Sequence, residues 1–337
     1  MSVTINDVAR KAKVSKAAVS YVINNKPGVS EATRRRVLQV MAELDYRPNP
    51  NARGLAGQST GMIGMAIPDI SDMFYARIIR GVEKEVNTHD FILNLCTTHG
   101  LAAREEEIVN ILGHGRVDGL LLMAYTLKEA QLEELLSRGL PFVLVNCPPE
   151  RYHKAYPSIY IDHYHGAVLG TEHLIEAGHT KIAFMHGPED SRDSAERFWG
   201  FQDTLQKHGL ELQSDYLARG NFRKQEGYQA TLGLLALPDP PTALFAANDQ
   251  MALGAMDACR DQGLGVPEDF SILGFDDIEA AEYVTPSLTT LRQPTEAMGE
   301  AAVRLLFRLM TTNTAGDQAV SLEPKLMIRE SVRKILI

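Results

Sequence analysis

Hydrophobic positions follow two rhythms along this chain, and the change falls near residue 60. Over residues 4–45 apolar side chains recur every three or four positions, the spacing of amphipathic helices. Three short helices are predicted there. The first, "TINDVARKA", has Thr4 as N-cap and Asp7 three residues on, close to a capping box, with Val8, Ala9 and Ala12 facing inward. Lys13-Val14 makes a turn, and Ser15 caps the second helix, "SKAAVSYVINN", in which Val19, Val22 and Ile23 point inward. Lys16, Ala17, Ser20, Tyr21 and Asn24 then share the opposite side, within roughly 140° at about 100° per residue. The third helix opens at Ser30 and buries Val37, Met41 and Leu44, with Arg34-Arg35-Arg36 around it.

From Gly61 onward, short continuous apolar runs alternate with amphipathic stretches. Strands are predicted at 62–68, 91–96, 119–123, 142–146, 181–185, 242–246 and 271–275. Helical stretches lie between most of them, for example 74–86, 167–176 and 250–260. Such alternation predicts parallel sheets covered by helices on both faces. A turn-rich break at 148–157, followed by a fresh βα series, predicts two such halves.

Charge sharpens the division. The 337 residues carry a net charge of −9, but residues 1–58 hold ten Lys/Arg against four acids, so +6, which leaves −15 for the remainder. A small basic head on a large acidic body implies that the head alone meets a polyanion. Cys96, Cys147 and Cys259 are far apart and form no C-x-x-C, which predicts reduced, buried thiols. Asp7, Arg10 and Lys11 stand where a secretory signal needs an apolar core, and no run of about 18 apolar residues occurs. A soluble, cytoplasmic protein without membrane contact is expected.

Two helices joined by a tight turn, the second with a small-residue, cationic outer face, make a helix-turn-helix. Ala17 and Ala18 let that helix lie close to base edges. Lys16 is suited to guanine O6/N7, and Tyr21 offers a hydroxyl and an apolar ring to a thymine methyl. Ser15, Ser20 and Thr33 are short donors suited to phosphates. The alternative is a three-helix domain whose charged face meets only solvent.

"NPNARGLAGQST" (49–60) follows the head. Eight or nine residues do not sustain a helix alone in water, and Gly54 costs a further ~1 kcal/mol against alanine. The segment is therefore either a plain tether or a conditional helix formed against a partner.

In open α/β sheets ligands sit at the carboxyl ends of strands. There the chain places Ser71, Phe74 and Tyr75, then Asn146, Asp162, Asn248-Asp249 and Asp276-Asp277. "SAERFWGF" sets Arg197 near a helix start, and Phe222 follows "LARGN". Planar aromatics with Asp, Asn and Arg suit a sugar or nucleobase. Blander readings remain: Phe74 and Phe222 as core, Asp276-Asp277 as a turn cap, Arg197 as a surface ion-pair partner. His163 and His165 of "DHYH" lack a third ligand at a familiar spacing, so no metal is expected. His173 and His179 read as surface residues, and Glu105-Glu106-Glu107 as a solvated helix face.

"VTINDVARKAKVSKAAVSYVINNKPGVSEATRRRVLQVMAELDYRPNPNARGLAG" resembles the DNA-binding head of the lactose/galactose repressor (LacI/GalR) family over about 55 residues. "GMAIPDISDMFYARIIRGVE", "HLIEAGHTKIAF", "AANDQMALGAMDACRDQGLGVPEDFSILGFDDIE" and "PSLTTLRQP" resemble the same family's core. Two departures stand out: Lys13 replaces the usual turn glycine, and Tyr21 replaces a frequent arginine. The resemblance implies an all-α helix-turn-helix head plus an α/β periplasmic-binding-protein-like core of two doubly wound parallel-sheet subdomains. It divides the chain into a head (1–48), a hinge (49–60), one subdomain from 61–161 plus about 292–323, and another from 162–291 plus about 324–337. It implies that Thr4, Ser15, Lys16, Ala17, Ser20, Tyr21, Asn24, Ser30 and Thr33 face operator DNA. The hinge would be helical only on DNA, Leu55 wedging into the minor groove while Asn49 and Arg53 hold the flanking backbone. Ser71, Phe74, Tyr75, Asn146, Asp162, Arg197, Phe222, Asn248 and Asp276 would line an effector cleft.

No G-x-S-x-G, G-x-x-x-x-G-K-[ST] or G-x-G-x-x-G follows any strand, so neither an enzyme nor a cofactor is expected. The reading is a ligand-responsive transcriptional regulator, most simply a repressor, binding a near-palindromic operator with a sugar-like small-molecule effector. The chain stops soon after "RESVRKILI", without the leucine-heptad tail of the family's tetramers, so a homodimer is expected. A purine or nucleoside co-repressor, a phosphoprotein partner and a sugar-processing α/β enzyme are the alternatives.

Overall fold

The computed structural model describes residues 3–23, 26–46, 59–71, 73–124, 126–312 and 319–335. Of the predicted DNA-facing residues, Asn24, Asn49, Arg53 and Leu55 lie outside these, as does nearly all of the predicted hinge.

The head is three helices, α1 (Ile5–Ala12), α2 (Lys16–Ile23) and α3 (Glu31–Glu43). Each begins where a short polar side chain accepts or organises the free amides of the first turn. The Thr4 amide and hydroxyl both donate to Asp7, at 3.0 and 2.7 Å. Ser15 Oγ accepts from the Ala18 amide at 3.1 Å, and Ser30 Oγ from the Thr33 amide at 3.3 Å. Val8, Ala9, Ala12, Val19, Val22, Val37 and Val40 form its buried core, with Met41 and Leu44 only half-buried beside it. Lys13 sits at φ 53°, ψ 46°, so the position does take up the left-handed turn geometry that glycine would accept without strain.

The body contains two sheets. The first series runs β1 (Met62–Ile67), α4 (Met73–Thr88), β2 (Ile92–Thr97), α5 (Ala102–Gly113), β3 (Gly119–Leu122), α6 (Glu129–Ser137), β4 (Phe142–Val145) and β5 (Ser158–Ile161). The second runs α7 (His163–Glu176), β6 (Ile182–His186), α8 (Arg192–Lys207), β7 (Leu217–Arg219), α9 (Lys224–Leu235), β8 (Ala243–Ala246), α10 (Asp249–Asp261), β9 (Ser271–Asp276), α11 (Ala280–Tyr283) and β10 (Thr289–Arg292). The chain then returns through α12 (Thr295–Thr312), β11 (Ala319–Leu322) and β12 (Lys325–Met327).

Strand order is β11-β5-β4-β3-β1-β2 in one sheet and β12-β10-β9-β8-β6-β7 in the other. Pairing is parallel except for β12 against β10. Helix α12 packs on α4 and on the first sheet, although it follows a strand of the second. Gly81 and Gly299 make that packing close: neither has room for a Cβ against the backbone of the facing helix. The chain thus passes between the sheets after β5, after β10 and after β11.

All seven predicted strands are present, with ends moved by a residue or two. Strands β5, β7, β10, β11 and β12 escape the hydrophobic pattern because each is only three or four residues long; β7, β11 and β12 are sheet edges as well. Three polar predictions are corrected. His179 is fully buried, its Nδ1 2.9 Å from Thr242 Oγ1. Glu105 is also buried, accepting from the Thr126 amide (2.8 Å) and hydroxyl (2.5 Å), while Glu106 and Glu107 do face solvent. Cys147 and Cys259 are buried free thiols, but Cys96 is only half-buried.

Candidate functional site

On α2 the apolar stripe fixes which residues face out. Val19 and Val22 are buried, while Ser15, Lys16, Ala17 and Tyr21 are exposed and Ser20 is half-buried. Tyr21 is 43% exposed yet its ring lies over Gly28, which holds it at the edge of the face. Ser30 and Thr33 hydroxyls lie 3.0 Å apart at the start of α3, and the Thr4 hydroxyl is already committed to Asp7. Small, cationic and hydroxyl groups therefore present one surface, the geometry a helix needs to enter a major groove.

In the body, a cavity of 440 Å³ opens where strands of both sheets end. Its lining brings together Ser71, Phe74, Tyr75, Arg197, Phe222, Asn248 and Asp276, seven of the nine residues named from the sequence. Phe74 and Tyr75, at the start of α4, meet edge to face with centroids 5.3 Å apart. Phe222 sits at φ 63° against Gly187, where the ring leaves no room for a Cβ. Its carbonyl accepts from Asn248 Nδ2 at 3.3 Å, while Asn248 Oδ1 caps α10 through the Met251 amide.

Arg197 is not a surface ion-pair partner. It is 4% exposed, stacked over Phe275 at 3.9 Å, bonded to the Ala247 carbonyl, 3.2 Å from His163 Nδ1 and 3.9 Å from Asp276 Oδ1. Its Nε is buried without a protein partner. Asp276, at φ 126°, accepts from Gln293 Nε2 at 2.5 Å.

The remaining two predicted residues stand apart from the lining. Asn146, in left-handed geometry at φ 56°, donates to Asp193 Oδ2 at 3.2 Å and so lies one bond behind the wall. Asp162 caps α7 by accepting from the His165 amide. Asp249 and Asp277 brace rather than line. Asp249 accepts from Thr290 and from the Ile278 amide, and burial pushes its carboxyl up. Asp277 is held by Arg292 (2.5 Å) and Arg329 (2.6 Å).

Asp69, Asp193, Gln250, Ile278 and Gln293 complete the lining and were missed. Asp69 stands two residues after β1 and lay within reach of the strand-end rule, which would also have found Gln293, directly after β10, had that strand been recognised. Asp193 faces His163 Nε2 at 3.4 Å. Burial opposes its charge, but His163, Arg197 and Asn146 prevail and hold the carboxyl well below its usual range. Among the described residues no group of three His, Cys, Asp or Glu is arranged to hold a metal, and no helix is long and apolar enough to cross a membrane.

Residues 4–49 match the family described as bacterial regulatory proteins, lacI family, and residues 171–332 match the periplasmic binding protein-like domain. The chain is 36% identical over 334 residues to catabolite control protein A of Priestia megaterium, covering 99% of this chain and 100% of that one. It is 35% identical over 334 residues to the HTH-type transcriptional repressor PurR of Vibrio vulnificus (strain CMCP6), covering 98% and 99%. Among solved structures, the Lac repressor dimer bound to operator and the anti-inducer ONPF superposes with a TM-score of 0.85 at 30% identity, covering 99% of this chain and 100% of that one. The complex of the transcriptional regulator CelR with cellobiose gives 0.72 at 33% identity, covering 98% and 99%.

Proposed function

The chain belongs to the lacI family of bacterial regulatory proteins, and on that premise we propose how its two ends work together. It is a DNA-binding transcriptional regulator with an effector-binding core, not an enzyme. Two copies set their α2 helices in successive major grooves of a near-palindromic operator, about 34 Å apart. Residues 49–60 form paired hinge helices on that DNA. A small ligand in the cleft changes the angle between the two sheet subdomains, and with it the separation of the hinge starts. It acts only through its differential affinity for the two arrangements. A coupling of about 1–3 kcal/mol changes operator affinity roughly five- to 150-fold. Because the partner is DNA, the protein resides in the cytoplasm.

The observation that carries the choice of ligand is the charge of the cleft. Asp69, Asp193 and Asp276 line it together with one guanidinium, Arg197, whose charge is already engaged by Asp276 and the Phe275 ring. Such a lining repels phosphates and carboxylates and accepts hydrogen bonds from hydroxyls. With Phe74, Tyr75 and Phe222 beside it, it suits a neutral, polyhydroxylated ring: a sugar.

Thermal unfolding of the wild type and Arg197→Lys against neutral sugars, sugar phosphates, purines and nucleosides tests this. A ligand at about 100 times its Kd adds about 2.7 kcal/mol. A neutral sugar is expected to stabilise the wild type and to do so far less in Arg197→Lys, whose ammonium cannot reproduce the planar fork. Stabilisation by a purine alone would transfer the assignment to a purine effector. No stabilisation by any compound would favour a phosphoprotein partner.

A further inference from the structure

Everything that joins the head to the core passes through Ser59, and the chain is gripped there by a single side chain. Asp118 stands one residue before β3. Its carboxylate accepts from the Ser59 hydroxyl at 2.7 Å, the Thr60 amide at 2.8 Å and the Gly61 amide at 2.7 Å. Bonds to an ionised acceptor are roughly twice as strong as neutral ones. Gly61 lies at φ 71° with nothing within 4 Å of the place a Cβ would occupy, so glycine serves the backbone turn there, not close packing. The chain bends at Gly61, and one carboxylate fixes the bend.

Strand β1 does not need this clamp. The Gly61 carbonyl accepts from the Ile92 amide at 2.9 Å, and the Met62 carbonyl from the Asp118 amide at 2.8 Å, so backbone pairing alone holds the strand's start. Without the carboxylate the pairing ends at Gly61, and Ser59 and Thr60 become extra tether. Two residues reach up to about 7 Å, the rise of about two base pairs at roughly 3.4 Å each. Resting on the reading of two heads on paired half-sites, we infer that Asp118 is the positioning residue that sets which half-site spacing the dimer accepts. It acts through the chain it holds, by fixing the point and the direction in which each copy's linker leaves the core.

The test uses the full chain and an operator enriched from random duplex DNA by the wild type. Its half-sites are moved together or apart by one or two base pairs, and each duplex is titrated in fluorescence anisotropy. The wild type is expected to lose about ten-fold or more in affinity away from its preferred spacing. Asp118→Ala should bind that spacing about five-fold more weakly and the others within about two-fold of the same value, since a longer tether serves more spacings at lower effective concentration. Affinity for a duplex with a single half-site should stay within about two-fold, which separates spacing from damage to the head. Asp118→Asn keeps the volume but turns an amide donor toward donors, so it should flatten the profile too, and it decides the question should Asp118→Ala not fold. A spacing profile as steep in the folded variants as in the wild type, whatever their urea midpoints, would overturn the inference and leave the paired half-site reading standing. A wild type indifferent to spacing would overturn both.

Discussion

The DNA-facing head and the ligand cleft reach a working surface by opposite routes. In the head, the described outward residues come from one helix and the capped start of the next, and a core of seven small and branched side chains suffices to aim them. In the cleft, Asp69, Asp193, Arg197, Phe222, Asn248, Asp276 and Gln293 come from separate strand ends and helix starts of both sheets. Apart from Asp69, which Ser71 two residues on holds, each has a partner distant in sequence, as Arg197 has in the Ala247 carbonyl. A head built this way is easily destabilised but locally specified. A cleft built this way is held firmly and is specified only by the whole fold.

The largest break in that comparison comes from the head. Val37 is fully buried, and Val37→Asp places a carboxylate there, at a cost of roughly 4 kcal/mol or more. A domain this small rarely has more than about 3–5 kcal/mol in reserve. Operator binding in fluorescence anisotropy should therefore vanish while ligand-induced thermal stabilisation of the core persists. Loss of both together would mean that head and core do not fold independently.

Next is Arg197→Ala, which strips the cleft of its buried cation and leaves Asp276 facing the gap. The core should lose about 3–5 kcal/mol in urea unfolding and its ligand response with it, while isolated-head signals in NMR stay where they are. A change below about 1 kcal/mol would show that the guanidinium is less engaged than its four neighbours imply.

The third prediction concerns pH. Burial pushes the His179 imidazole down to about 4, so the unfolded chain binds a proton near pH 6.5 that the folded chain refuses until about 4. Stability is complete above about 6.5 and falls as pH drops through that window. His179→Asn should flatten the decline in urea midpoint between pH 7 and 5 without abolishing it, because burial also pushes His186 down to about 4. An unchanged slope would remove His179 from the account.

The smallest effect is a gain. Lys13→Gly relieves the left-handed turn between α1 and α2 and should raise head stability by about 0.5–1 kcal/mol, since part of the relief is offset by the freer unfolded chain. Differential scanning calorimetry should place the gain in the head transition alone; a loss would mean that the lysine side chain holds the turn.

Much of this was legible from the residues. The helical period located Val8, Val19 and Val37 in one small core and put Lys16, Ala17 and Tyr21 outside it, because period and face are the same information in a helix. The βα alternation likewise announced parallel sheets, and the strand-end rule found Ser71, Phe74, Asn248 and Asp276. The rule failed where the pattern was weak. Gln293 was hidden behind β10, four residues without a long apolar run, and Asp193 looked like any acid in a helix's first turn.

What the sequence determined by itself, then, is where chains of like character begin and end: three capped helices, alternating strands and helices, a basic head and an acidic body. These depend on neighbours within a few positions, and each residue's own propensity and polarity suffice to state them. Burial of polar groups was decided only by tertiary structure. Glu105 and His179 read as solvent-exposed, and each is enclosed where a remote segment brings it a hydrogen-bond partner, Thr126 or Thr242. A buried charge or imidazole is tolerable only with such a partner, and no local pattern records which distant residue will supply it.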